Sequence, residues 1–164
     1  MSRAFVKEPD GDQVGDTQPD LPISKHTNYV TPNGLKQLTD KRDELLSQKS
    51  ALSESDDITS KTQLTQVERE LRYFNARITS AVVVTNKEHD KSLVAIGATV
   101  SFVDEHDKTY RFTIVGEDEA SLKEGKISWI SPLAKALTGK KKGDAVTWKR
   151  PIGDLSVTIN DISY

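Results

Sequence analysis

The sequence contains no cysteine. That excludes a disulfide framework, a thiol nucleophile and a thiolate metal site. It is also poor in apolar residues, at 35%, with a mean hydropathy of −0.56. No stretch approaches the roughly 20 apolar residues that cross a bilayer. No apolar run between Met1 and Asp20 resembles a signal peptide. The formal net charge is only −2, which argues against duplex DNA as the main partner, because phosphate binding needs clustered Lys and Arg. Three histidines, His26, His89 and His106, are scattered through predicted loops and do not suggest a metal site. No Ser-His-Asp arrangement, phosphate-binding glycine loop or nucleotide fingerprint is visible. The expectation is a soluble cytoplasmic protein with no membrane partner.

What the sequence does contain is two apolar rows of helical spacing. Leu64, Val67, Leu71, Phe74, Ile78 and Ala81 step by 3, 4, 3, 4 and 3. Upstream, Leu38, Leu45 and Leu52 repeat every seven residues, with Leu35 three before the first. Each row is the seam of a helix built to lie along another helix. Arg42 and Lys49 interrupt the first seam, where their stems can pack while their heads reach water. Thr31-Pro32 reads as an N-cap followed by a first-turn proline, so the first helix is predicted from there to about Leu52. The second is predicted from Thr59 to about Ser80. The link between them, Ser53 to Asp57, is short and acidic, so the helices must run antiparallel. The result is an arm over residues 27–84, with Glu54, Asp56 and Asp57 at its tip. As plain helix chemistry, these acids favour the N-terminus of the second helix, with Asp56 or Asp57 as its N-cap. Residues 1–26 are polar and rich in Asp, Gly and Pro, the composition of a flexible tail.

After a charged linker over 85–95, the period changes to that of strands. Thr99 to Val103 and Thr109 to Val115 form a predicted hairpin. Gly116 to Ala120 is a predicted turn, and Ile127 to Ile130 a short strand. Ser131-Pro132 repeats the cap-and-proline signature before a helix from Leu133 to Leu137. Ala145 to Arg150 and Leu155 to Ile162 are two further strands around a turn at Pro151 to Asp154. Trp129 and Trp148 read as sheet packing, and Lys140, Lys141 and Lys142 as a wet loop. The fold class is α+β: an antiparallel coiled-coil hairpin followed by an antiparallel sheet domain with one short helix, over 96–164.

The second domain resembles the C-terminal domain of the GreA/GreB transcription elongation factors. The match is carried by Gly97 to Val100, by Arg111 to Ala120, by Ile127-Ser128, by Ser131 to Leu137, and by Gly139 to Asp144 with Val146. Thr31 to Leu35 followed by Leu38 is similar to the family's opening motif, and Met1 to Val6 to the GreB start. The resemblance implies a C-terminal domain like that of FK506-binding proteins. It would grip bacterial RNA polymerase at the rim of the secondary channel, here through Trp129, Ile130, Ser131, Pro132, Leu133 and Lys135. It also implies that the arm enters the channel as a monomer and touches RNA and DNA only through the polymerase. The chain would have no catalytic residues or cofactor of its own. Tip acids would help hold a Mg²⁺ shared with the polymerase's active site, with Asp56 and Asp57 as the ligands here, so that the site cuts backtracked RNA. Carboxylate oxygens suit that ion, and a second metal activates water.

The chain departs from the family at the tip, where the pattern Asp-Leu-x-Glu-Asn-Ala-Glu-Tyr is absent. The arm is also several turns shorter than in cleavage-competent members, and Ile130 stands where an acid is common. At about 5.4 Å per turn, such a tip is withdrawn by well over 10 Å. Two readings follow, a cleavage-stimulating factor and a non-cleaving regulator that competes for the channel. A prolyl isomerase and a generic coiled-coil interaction module are the remaining alternatives.

Overall fold

The computed structural model describes residues 18–164. Strand β1 (Tyr29–Val30) leads into helix α1 (Pro32–Ser53), and helix α2 (Ile58–Ser80) returns beside it. The helices have 22 and 23 residues, or about 33–35 Å at 1.5 Å per residue. Thr31 caps α1, accepting the Gly34 N–H at 2.9 Å, and Pro32 occupies the first turn. Both predicted helix boundaries hold to within one residue; of the tail expected over residues 1–26, residues 1–17 lie outside the described residues.

The arm has its own small core. Leu45, Val67 and Leu71 are buried between the helices, with Leu52 and Phe74 packed against them. Leu38 is buried nearer the base. Lys49 pairs across the helices with Glu68 at 3.1 Å, so a polar seam position is used for a cross-helix ion pair. Ala81, the last member of the α2 row, is already the cap residue outside the helix.

The base is a five-stranded sheet in the order β5-β4-β3-β7-β6. Its strands are β3 (Thr99–Asp104), β4 (Thr109–Val115), β5 (Lys126–Ser128), β6 (Ala145–Trp148) and β7 (Leu155–Ser163). Helix α3 (Pro132–Leu137) covers part of one face. Phe102, Val100, Ile114, Leu137 and Ile159 are all essentially inaccessible and form the centre of the core. Burying each such side chain contributes about 1.5–3 kcal/mol. Val94, within the stretch read as a linker, also belongs to this core. Its carbonyl accepts from Gly139 and its N–H donates to Lys140, so the base reaches back into 85–95.

The sheet is mixed rather than wholly antiparallel. β5 pairs parallel with β4, Ile114 opposite Ile127. Two 3₁₀ turns, Glu117–Glu119 and Leu122–Glu124, carry the chain back along β4 before β5 begins. That crossover is what parallel neighbours require. A second parallel pair joins β1 to strand β2 (Val82–Val83), Tyr29 opposite Val82. Val82 and Val84 donate to the carbonyls of Asn28 and Val30, each at 2.8 Å. This ladder ties both ends of the arm together where it meets the base.

Candidate functional site

The acidic tip is a four-residue link, Glu54 to Asp57, between the two helices. Glu54 is the C-cap residue of α1. Asp57 is the N-cap of α2, and all three tip acids are exposed. One Asp57 oxygen accepts the Ser60 N–H at 2.8 Å. The other accepts the hydroxyls of Ser55 and Ser60, the latter at 2.7 Å. These bonds, the Ser55 hydroxyl foremost, hold the Asp57 carboxyl well below the usual carboxylate range. Two carboxylate oxygens offer about four acceptor positions, so capping occupies most of those on Asp57. Asp56 is exposed and makes no side-chain hydrogen bond among the described residues. Among the described residues, no three His, Cys, Asp or Glu side chains are gathered closely enough to hold a metal ion. Asp56 and Asp57 therefore fit poorly as a ligand pair, because Asp57 would have to give up its cap.

At the opposite end, the base carries an open apolar groove of about 590 Å³. Phe112, Ile127, Leu133 and Trp148 line it, together with Pro132. Leu122 and Ile152 stand on it 80% and 85% exposed. Ser131 caps α3 by accepting from Ala134, which seats Pro132 and Leu133 on the groove wall. Lys149 and Arg150 give the rim positive charge, and the Arg150 guanidinium lies 5.6 Å from the Trp148 ring. Of the residues read as polymerase-binding, the groove brings together Ser131, Pro132 and Leu133. Lys135 is exposed and Ile130 half-buried, both outside the groove lining. Trp129 faces the other way, edge-on to Tyr29 at 5.1 Å and His26 at 6.1 Å. The aromatic rings an isomerase pocket would need mostly pack on one another. Phe102 stacks on Tyr110 at 5.3 Å and meets Trp148 edge-on at 6.1 Å.

Sequence reasoning missed Leu122 and Ile152. An isoleucine inside a Pro-Ile-Gly-Asp turn was the available signal, since a turn gives an apolar side chain nothing to pack on.

It also missed the joint between the two parts. Gly116 to Ala120, read as a turn, presents three acids to the arm. Arg77 on α2 is 1% exposed. Its Nε donates to Asp118 at 2.6 Å, and its Nη2 lies 3.6 Å from Glu117, an ion-pair distance without a hydrogen bond. Tyr73 donates its hydroxyl to the other Asp118 oxygen. Burial and this carboxylate push the Tyr73 phenol up to about 12. Glu119, also buried, accepts from the Thr31 hydroxyl and from Asn33 at 2.8 Å, with Lys126 at 3.9 Å. Thr31 thus caps α1 and ties it to the base at once. The backbone runs close here: a Cβ on Gly116 would stand 2.4 Å from the Tyr29 carbonyl oxygen, and one on Gly34 2.6 Å from Glu119 Oε2.

A capped two-helix arm is locked through buried ion pairs to a grooved base, with the groove and the tip at opposite ends. The sequence profile described as "Transcription elongation factor, GreA/GreB, C-term" matches residues 77–164. A Transcription elongation factor GreA of Listeria monocytogenes is 34% identical over 158 residues, covering 90% of this chain and 98% of that one. One of Oceanobacillus iheyensis is 33% identical over 152 residues, covering 82% and 95%. One of Nautilia profundicola is 41% identical over 105 residues, where the match spans 65% of the relative's length and 63% of this chain. The crystal structure of the GreA factor homolog 1 protein of Thermus thermophilus aligns with 85% of this chain and 100% of its own, at 23% identity and a TM-score of 0.42. The chain belongs to the GreA/GreB family of transcription elongation factors.

Proposed function

We propose that this protein binds bacterial RNA polymerase at the rim of its secondary channel. The groove around Pro132, Leu133 and Trp148 takes an apolar projection of the polymerase, and Lys149 and Arg150 favour acidic flanks on that projection. The arm then enters the channel and modulates elongation. The protein supplies no catalytic group of its own and acts through the polymerase.

The observation that carries the mode of action is the Asp57 cap. Its carboxylate is committed to Ser55 and Ser60, which leaves Glu54 and Asp56 as the exposed acids beside it without a side-chain hydrogen bond among the described residues. With arms of 22 and 23 residues, this supports a regulator that occupies the channel over one that stimulates RNA cleavage.

The test is a transcript-cleavage assay on stalled, backtracked elongation complexes, run with and without a cleavage-competent Gre factor. The expected result is no cleavage by this protein alone and dose-dependent loss of the competitor's cleavage. Cleavage that disappears in the Asp56→Ala, Asp57→Ala variant would establish the other mode, with a shared Mg²⁺ at the tip. The absence of both cleavage and competition would overturn channel binding itself.

A further inference from the structure

The segment that leads into β1 touches the arm and the base in turn. On the arm, Asp20 pairs with Arg72 at 2.8 Å. The Pro19 carbonyl accepts from Arg69 Nε at 2.6 Å, and the Gln18 side chain accepts from Arg69 Nη1 at 3.1 Å. Arg69 and Arg72 are neighbours on one face of α2, so two guanidiniums hold three consecutive residues of the segment. On the base, His26 and Tyr29 both meet the Trp129 ring edge-on, at 6.1 and 5.1 Å. Trp129 is fixed to the sheet, its backbone N–H donating to the Val115 carbonyl at 2.9 Å. Between these ends Leu21 and Ser24 are half-buried, and the Ser24 hydroxyl accepts the His26 N–H at 3.2 Å. Asn28 then closes on the joint, donating to the Arg77 carbonyl at 2.7 Å and to Ser80 at 3.2 Å.

Where the segment grips the arm decides what it can do. The arm is anchored at Arg77 through Asp118, and Tyr73, four residues up α2, shares that carboxylate. Tyr73 is about 6 Å from Arg77 along the axis, Arg69 about 12 Å and Ile58 at the tip about 28 Å, at 1.5 Å per residue. One ångström of slack at Tyr73 therefore becomes about 5 Å at the tip, and the same slack at Arg69 only about 2.4 Å. A hold at Arg69 halves the play that the buried anchor leaves. The hold is not a folding device. The Asp20–Arg72 pair is 67% and 55% exposed, and exposed pairs contribute little to stability.

We propose that residues 18–28 are a brace that fixes the angle of the arm on the base. Arg69 and Arg72 are its positioning residues on the arm, and Trp129 is its seat on the base. The brace is a second connection between the two parts, separate from the buried carboxylates at the joint.

Distance measurement by pulsed electron paramagnetic resonance on the protein alone tests it. The chain has no cysteine, so nitroxides at Thr59→Cys near the tip and Ser156→Cys on β7, both exposed positions, report one tip-to-base distance. The parent should give a single narrow distribution. Arg69→Gln, Arg72→Gln should broaden it about twofold, the ratio of the two holding distances from Arg77, with helicity by circular dichroism unchanged. Arg72→Asp should broaden it as well. Asp20→Arg added to that variant should narrow it again, because the pair is restored with its signs exchanged. Equal widths in the parent and the double Gln variant would overturn the proposal. So would a charge exchange as broad as Arg72→Asp alone. The measurement needs no polymerase, so its outcome is independent of the channel reading.

Discussion

Arg77 is a single side chain on which the joint turns. It is buried against two carboxylates, and removing one partner of such a buried group leaves the other charge uncompensated. Arg77→Met is expected to lower unfolding free energy by roughly 3–5 kcal/mol, measured by urea denaturation; a loss below about 1 kcal/mol would mean the joint contributes little. Asp57 gives a pH signature. Its folded value lies below its ordinary one of about 3.9, so its contribution is complete above that pH and is lost as the pH falls further. Arm helicity, followed by circular dichroism, should hold from neutrality to about pH 4 and decline below it. Asn is as good a cap as Asp but does not titrate, so Asp57→Asn should flatten that acid limb. Unchanged acid behaviour in the variant would show that other carboxylates dominate.

At the scale of elements, the caps explain what could be read in advance. Thr31-Pro32 and Ser131-Pro132 are local signals, so α1 and α3 begin where the sequence places them. The arm seams are periodic over two dozen residues and were equally legible. β1 and β2 were not, because two residues carry no period, and β5 was legible as a short strand but not as a parallel one. Their parallel pairing is decided by where the arm and the 3₁₀ crossover deliver them. The joint was hidden for a related reason. Glu117, Asp118 and Glu119 in succession look like a wet turn, and the arginine that buries two of them lies about forty residues away. Close approach of β1 to the Gly116 turn supplies a check. Gly116→Ala must push the Tyr29 backbone aside, and such overpacking typically costs about 1–3 kcal/mol. The thermal midpoint should fall accordingly, and a neutral effect would mean that β1 is free to shift.

For the whole molecule, the groove and the arm tip lie at separate ends, so the docking and the reach proposed for them can be broken independently. Ile152 is 85% exposed beside the groove, so Ile152→Asp should leave the unfolding free energy within about 0.5 kcal/mol of the parent. The same variant should abolish competition for the polymerase channel by setting a charge on the apolar contact. Retained competition would move the docking surface elsewhere on the base. The clamp formed by Arg77, Asp118, Thr31 and Glu119 also acts as the fulcrum of a lever. With an arm of about 33 Å, a tilt of about 10° at that clamp swings the tip by about 6 Å. Aim at the far end is therefore set by a handful of hydrogen bonds at the near end, and a substitution there would misdirect the tip without touching it.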